Sequence, residues 1–483
     1  MPFQTLIPAG SRVSHSVSRA VSALTLGLVM SGFAVTAHAQ AGTFDRTKPP
    51  VVPPARPLTF PKAQTRTLKN GIPVIVLEDH TRPVVSVSTV LRISPLIGKN
   101  GVGQFTGGLL GEGTTMHTAD QLVDEFAALG NRVSALGFYT ITANVDKSLG
   151  LMAEQFFHPA FPQASLDRNK ANTIASLERA RENPGYIAGR LLSTKLYGKT
   201  HPYSRDLTPA DVQSITRDEI VDFYNTYYRP PNMKFVVAGD ITPEQAVAKL
   251  NKVFGDLKGG KSGEMKVPPV APVTSTNLYL YDRPGSPQSI LLVAQLGPRR
   301  DTPDHYALEL METALGGAFN SRINLNLREQ HQYAYGAQAG FGFRRPPEPS
   351  TFTANTAVAT PKTDSALIEM LKEIKGIRDA KPMTAEELDF AKASATKSLP
   401  LQFETIGQRA QAVAGLVASD EPLDYYNHVI QKFDAVTLAQ AEETAKKYLT
   451  PDKMVIIVVG DRKAVEENLR KANLAPVTVV DSL

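Results

Sequence analysis

The segment Met233-Lys234-Phe235-Val236-Val237-Ala238-Gly239-Asp240 returns later in the chain as Met454-Val455-Ile456-Ile457-Val458-Val459-Gly460-Asp461. Each copy reads as a buried strand ending in Gly-Asp. Each is preceded by an amphipathic helical stretch that runs into Tyr-x-x-Pro or a close variant, Ile220 to Pro230 and Leu438 to Pro451. Each is followed by a second helical stretch, Pro243 to Phe254 and Arg462 to Ala472. A spacing of about 220 residues is too long for a solenoid and predicts two similar domains in tandem. The 483 residues, 42% of them hydrophobic, are enough for more than one core. The domains are expected at 63–258 and 278–474, with the Gly, Lys and Pro-rich stretch 259–277 as linker and 475–483 as a tail.

The N-terminus carries Arg12 and Arg19, an apolar run from Ala23 to Met30, and Ala37-His38-Ala39 before Gln40. This is the pattern of a secretory signal over 1–39, cleaved after Ala39. The run falls short of the ~20 apolar residues that span a bilayer and is broken by Ser31 and Gly32, which argues against a membrane anchor. A periplasmic chain is expected, beginning with a Pro-rich tether over 40–62 and having no membrane partner. Formal charge is +5, and losing Arg12 and Arg19 leaves 5 − 2 = +3, too little to attract nucleic acid by field alone. With no Cys, disulfides, thiol nucleophiles and thiolate metal sites are excluded.

Strands are expected over Ile72–Leu77 and Val84–Leu91, both rich in β-branched residues. Thr118-x-x-Gln121 signals a capping box, opening a helix with Leu122, Phe126 and Leu129 on one face and Gly130 as its stop. Gly255-Asp256-Leu257-Lys258-Gly259-Gly260-Lys261-Ser262 matches the phosphate-loop pattern by letters. Its context is wrong, because a helix precedes it and Val267-Pro268-Pro269 follows, whereas a phosphate loop follows a strand and opens a helix. Near Gly101 and Gly103 a dinucleotide fingerprint fails at Thr106.

The segment Gly101-Val102-Gly103-Gln104-Phe105-Thr106-Gly107-Gly108-Leu109-Leu110-Gly111-Glu112-Gly113-Thr114 resembles the signature of the pitrilysin/insulinase zinc metallopeptidases, G-x-x-H-x-x-E-H-L-L-x-x-G-T. In that family two His of one helix face bind zinc and the Glu activates the bound water. The matching register puts Gln104 and Gly108 at the ligand positions and Gly107 at the base. Such a site has no useful zinc affinity, and none of the nine His lies three or four residues from another. The family's third ligand falls near Glu178; the register there is open, and a solvated helix acid is the preferred reading. His201 lies in a His-Pro-Tyr turn that resembles the family's structural one and is read as a non-ligand. Adjacent glycines cost a helix roughly 1 kcal/mol each. Either packing holds the helix, with another backbone crossing close to Gly107-Gly108, or the segment is not helical.

The resemblance extends from about Leu68 to Ala472. Leu315-Gly316-Gly317-Ala318-Phe319-Asn320-Ser321-Arg322-Ile323, Leu327-Arg328-Glu329-Gln330 and Tyr333-Ala334-Tyr335 are similar to the family's L-G-x-x-x-x-S-R-L, L-R-E and Y segment. In active relatives its Arg and Tyr hydrogen-bond the carbonyl under attack, which here implies Arg328 and Tyr335. The bland alternative is a surface helix cation and a core strand tyrosine. Tyr333 belongs to the opposite face of an extended segment. The resemblance implies an α+β fold of two tandem homologous domains, each a mostly antiparallel sheet packed against helices on one face. It implies a zinc-free, non-catalytic subunit of a periplasmic heterodimeric zinc metallopeptidase. The cofactor is expected in the partner, a zinc-bearing homologous subunit, and the substrate is an extended peptide. An assembly subunit or a peptide-binding protein without chemistry is the alternative. A serine or cysteine hydrolase is disfavoured by the lack of Cys and of a G-x-S-x-G elbow.

Overall fold

The computed structural model describes residues 60–345, 348 and 350–482. The signal over 1–39 and the tether up to residue 59 lie outside the described residues. Twelve strands form two six-stranded sheets. The first comprises β1 (Gln64–Thr67), β2 (Pro73–Glu78), β3 (Val84–Leu91), β4 (Arg132–Ser134), β5 (Gly137–Ile141) and β6 (Met233–Gly239), in the order β1-β2-β6-β3-β5-β4. The second comprises β7 (Asn277–Asp282), β8 (Gln288–Gly297), β9 (Ala334–Gly342), β10 (Ser350–Ala359), β11 (Val455–Gly460) and β12 (Val477–Val480), in the order β12-β7-β11-β8-β10-β9. The echoed segments are β6 and β11, and they occupy the same place in the two sheets.

Antiparallel pairing dominates, with parallel exceptions at β2/β6, β7/β11 and β7/β12. The stretch expected as a tail, 475–483, supplies β12, whose alternating valines complete the second sheet beside β7. The expected strand at Val84–Leu91 is β3, and the helix Ala119–Ala128 begins with the capping box formed by Thr118 and Gln121. The helix Pro243–Phe254 precedes the phosphate-loop look-alike and no helix follows it, so its amides cannot form a phosphate cradle.

Helices cover both faces of each sheet, not one as expected. β11 is buried at every position, as a continuous apolar run must be when neither face is left to water. The second cover comes from the other half of the chain. Ile187, Ala188, Leu191 and Leu196 of the helix Pro184–Tyr197 share a buried cluster with Val455, Ile457 and Val459 of β11. Reciprocally, Ile406, Ala410, Val413 and Val417 of the helix Ile406–Ser419 share one with Ile75, Leu77, Val236 and Ala238 of the first sheet. The two halves thus exchange a helix each.

Candidate functional site

The helix Val102–Leu109 carries the degenerate motif. Val102, Phe105, Thr106 and Leu109 are buried at i, i+3, i+4 and i+7, a stripe that fixes it to the first core. The Thr106 hydroxyl donates to the Val102 carbonyl at 2.8 Å. Gln104, Gly107 and Gly108 share the opposite, exposed face. The segment is therefore helical, and no backbone crosses at the glycines. A Cβ at Gly108 would meet nothing within 4 Å, and one at Gly107 only the Tyr228 hydroxyl at 3.6 Å. Packing by the apolar stripe offsets the low helix propensity of the glycines.

On that face one carboxamide stands where zinc would need two imidazoles and a carboxylate, so these residues do not fit the metal. Glu178 is exposed on the helix Gln163–Arg181 and forms no ion pair with a described residue. Glu112, just beyond the motif, pairs with Arg168 at 2.5 Å and accepts from the Ser165 hydroxyl at 2.9 Å. His201 accepts from the Tyr203 N–H through Nδ1 at 3.2 Å, so Nε2 carries the proton and donates to the Pro268 carbonyl at 3.0 Å. Both its nitrogens are thus used, one within its own turn and one in tying the linker down. Among the described residues, no group of three His, Cys, Asp or Glu is placed to hold a metal ion.

In the other half, Arg328 lies on a π-helical turn, Leu325–Gln330, its guanidinium 4.4 Å from the centre of the Phe319 ring and its Nε 3.4 Å from Glu329 Oε1. Tyr335 is 98% exposed, which removes the core-strand alternative. The cause is a β-bulge. Ala337 faces Thr356 and Ala334 faces Val358, so Tyr335 and Gly336 together oppose Ala357. The Thr356 hydroxyl donates to the Gly336 carbonyl at 2.9 Å, and the Ala337 N–H to Asn324 Oδ1 at 2.9 Å, bracing the bulge on both sides. Tyr333 is partly buried against the core, with its ring stacked on His331, so it does not substitute for Tyr335.

Sequence reasoning missed three participants. Phe319, 66% exposed, supports the Arg328 guanidinium. Asn324 donates to the Phe319 carbonyl at 2.6 Å while accepting from β9, which joins the Phe319 loop to the bulge. Glu312, last residue of the helix His305–Glu312, accepts a hydrogen bond from the Phe341 N–H of β9. Burial pushes its carboxyl up to about 8, with the Phe341 N–H pulling down and Glu309 adding to the rise. Glu312 and Asn324 together use up two outward N–H groups of the edge strand β9. No hydrogen bond or ion pair between described residues joins the Arg328/Tyr335 surface to Gln104, Gly107 or Gly108.

Residues 214–395 match the family described as Peptidase M16 inactive domain. The chain is similar to the non-peptidase homolog YmxG of Helicobacter pylori, 24% identical over 81% of this chain and 92% of that one. It is also similar to an uncharacterized zinc protease of Rickettsia bellii, 20% identical over 72% of this chain and 85% of that one. A crystal structure of a peptidase M16 inactive domain from Pseudomonas fluorescens superposes with a TM-score of 0.74 at 25% identity, covering 83% of this chain and 98% of that one. The resemblance read from the motifs is thereby borne out.

Proposed function

We propose that this chain, an inactive-type homologue of the peptidase M16 fold, is the zinc-free subunit of a periplasmic heterodimeric metallopeptidase. A zinc-bearing homologous subunit supplies the metal and the base, and this chain supplies Arg328 and Tyr335 to the scissile carbonyl of an extended peptide. The exposure of Tyr335 carries the reading. An almost wholly solvated tyrosine contributes little to its own fold, yet a bulge braced by Asn324 and Thr356 fixes its position. A phenol and a guanidinium held in advance are suited to an oxyanion that develops on the substrate, because they need no reorganisation when charge appears. The signal pattern over 1–39 supports export.

The test is co-expression with a homologue that contains His-x-x-Glu-His. The two chains are expected to co-purify at one to one, with zinc only in the partner, and to hydrolyse an unstructured peptide faster than either chain alone. Stoichiometric zinc in this chain by itself, or failure to form the pair, would overturn the proposal. A stable pair whose turnover is indifferent to this chain's Arg328 and Tyr335 would leave an assembly role.

A further inference from the structure

A cavity of about 380 Å³ opens beside the degenerate motif. Its walls include Leu91, Ile93, Leu207 and Phe223, and Gln104 and Tyr228 stand among its polar groups. Among the described residues no carboxylate, guanidinium or ammonium lines it, so a charged side chain would enter without a counter-charge while an apolar one would leave water at no such penalty. Tyr228 is only 5% exposed, yet its hydroxyl has no hydrogen-bond partner among the described residues. It lies 3.6 Å from where a Cβ of Gly107 would stand, so the missing side chain leaves the hydroxyl uncovered. Although the ring is buried, the hydroxyl itself stays open to solvent, free to bond a ligand that enters the cavity. Burial holds this phenol far above neutrality, at about 12, which keeps it a donor. The exposed Gln104 carboxamide both donates and accepts, the complement of a peptide group.

We propose that the surface left by the lost zinc motif is a peptide-binding subsite: an uncharged apolar side chain enters the cavity while the Gln104 carboxamide and the Tyr228 hydroxyl hold the adjoining backbone amide. This rests on the reading that the chain handles extended peptides, and it names the class of residue such a peptide presents here. Gly107 then has a use in the zinc-free chain, since the lack of a side chain there keeps the Tyr228 hydroxyl accessible.

The test uses the full mature chain and an end-blocked Ser/Gly peptide carrying one photo-reactive diazirine analogue of leucine. Cross-linked positions are located by mass spectrometry, and unlabelled peptides with Leu or Asp at that place compete. Cross-links are expected within residues 91–104 and 207–228, with Leu competing at least tenfold better than Asp. Gln104→Glu and Tyr228→Phe should each weaken competition about threefold to tenfold, the range of one hydrogen bond. Both variants should melt with the parent, because Gln104 is exposed and the Tyr228 hydroxyl has no partner to lose. Gly107→Leu, which covers that hydroxyl, should weaken binding further. Equal binding by parent, Gln104→Glu and Tyr228→Phe would overturn the subsite. Cross-links confined to the Arg328 and Tyr335 surface would overturn it too, while leaving the peptide-handling reading intact. No cross-link anywhere, with or without the zinc-bearing partner, would overturn both.

Discussion

Tyr335 touches so little of its own chain that its hydroxyl can be removed without structural consequence. In the proposed heterodimer, Tyr335→Phe is expected to leave the melting temperature and assembly unchanged, yet to lower turnover per assembled pair by ~10²–10³, the usual loss for one oxyanion donor. Arg328→Ala should act similarly, with added loss of peptide affinity if the guanidinium also meets a ground-state carbonyl. Turnover that falls only in proportion to lost complex would refute this. Glu312 makes a different prediction. Its folded-state pKa is raised to about 8 from an ordinary 4.5. The unfolded chain therefore gives up this proton first, and the associated stability is complete below about pH 4.5 and lost as pH rises through about 8. Glu312→Gln, neutral at every pH and still able to accept from Phe341, should raise stability at pH 7 by about 2–4 kcal/mol and flatten its pH dependence. Urea denaturation at pH 5 and pH 8 measures the slope; the same slope in parent and variant would count against a buried, protonated carboxyl.

At the scale of elements, the helix Val102–Leu109 keeps two poor helix formers on a face where nothing requires them for packing. Gly107→Ala and Gly108→Ala together should therefore raise unfolding stability, by about 1 kcal/mol for each site. Chemical denaturation that showed no gain would mean that the apolar stripe is not what holds this helix. Pairing the double variant with the cross-linking assay also separates stability from binding. Ala at 107 narrows access to the Tyr228 hydroxyl, so the more stable protein should be the weaker binder. The bulge in β9 has the opposite character. Its irregularity is braced by Thr356 and Asn324, so Asn324→Ala should strand the Ala337 N–H, release the Phe319 loop and reduce turnover more than Phe319→Ala does.

For the molecule as a whole, the exchanged helices decide how the halves relate. The first sheet buries Val236 and Ala238 under a helix encoded about 170 residues later, and β11 is covered by one encoded about 260 residues earlier. Residues 63–258 alone would expose that apolar face to water, as would residues 278–483. Each fragment is expected to be insoluble or to lack fixed side-chain packing by near-ultraviolet circular dichroism. The intact chain should unfold in one calorimetric transition, and the two fragments should recover native signal when refolded together. Two separate transitions, or a well-folded 63–258 fragment, would show that the halves are independent after all.

The duplication was legible in the chain alone, through the two Gly-Asp strands, as was the lack of a side-chain donor at 107 and 108, because a ligand is a residue type at a position and glycine has none to offer. The sequence also determined the local start of the Thr118 helix, whose capping box is a matter of residues three apart. It could not show that Tyr335 lies fully in water. That depends on a bulge set by β10 and on Asn324, and a strand pattern is silent about where its ladder slips. Glu312 reads as an ordinary helix acid until the fold brings the Phe341 N–H and an apolar surround to its carboxyl. The second cover on each sheet was half legible: the unbroken apolar run of β11 demands something on both faces, but which helix provides it is a pairing between distant segments that leaves no local period. Tertiary structure decided these features because burial and hydrogen-bond partners are properties of neighbours in space.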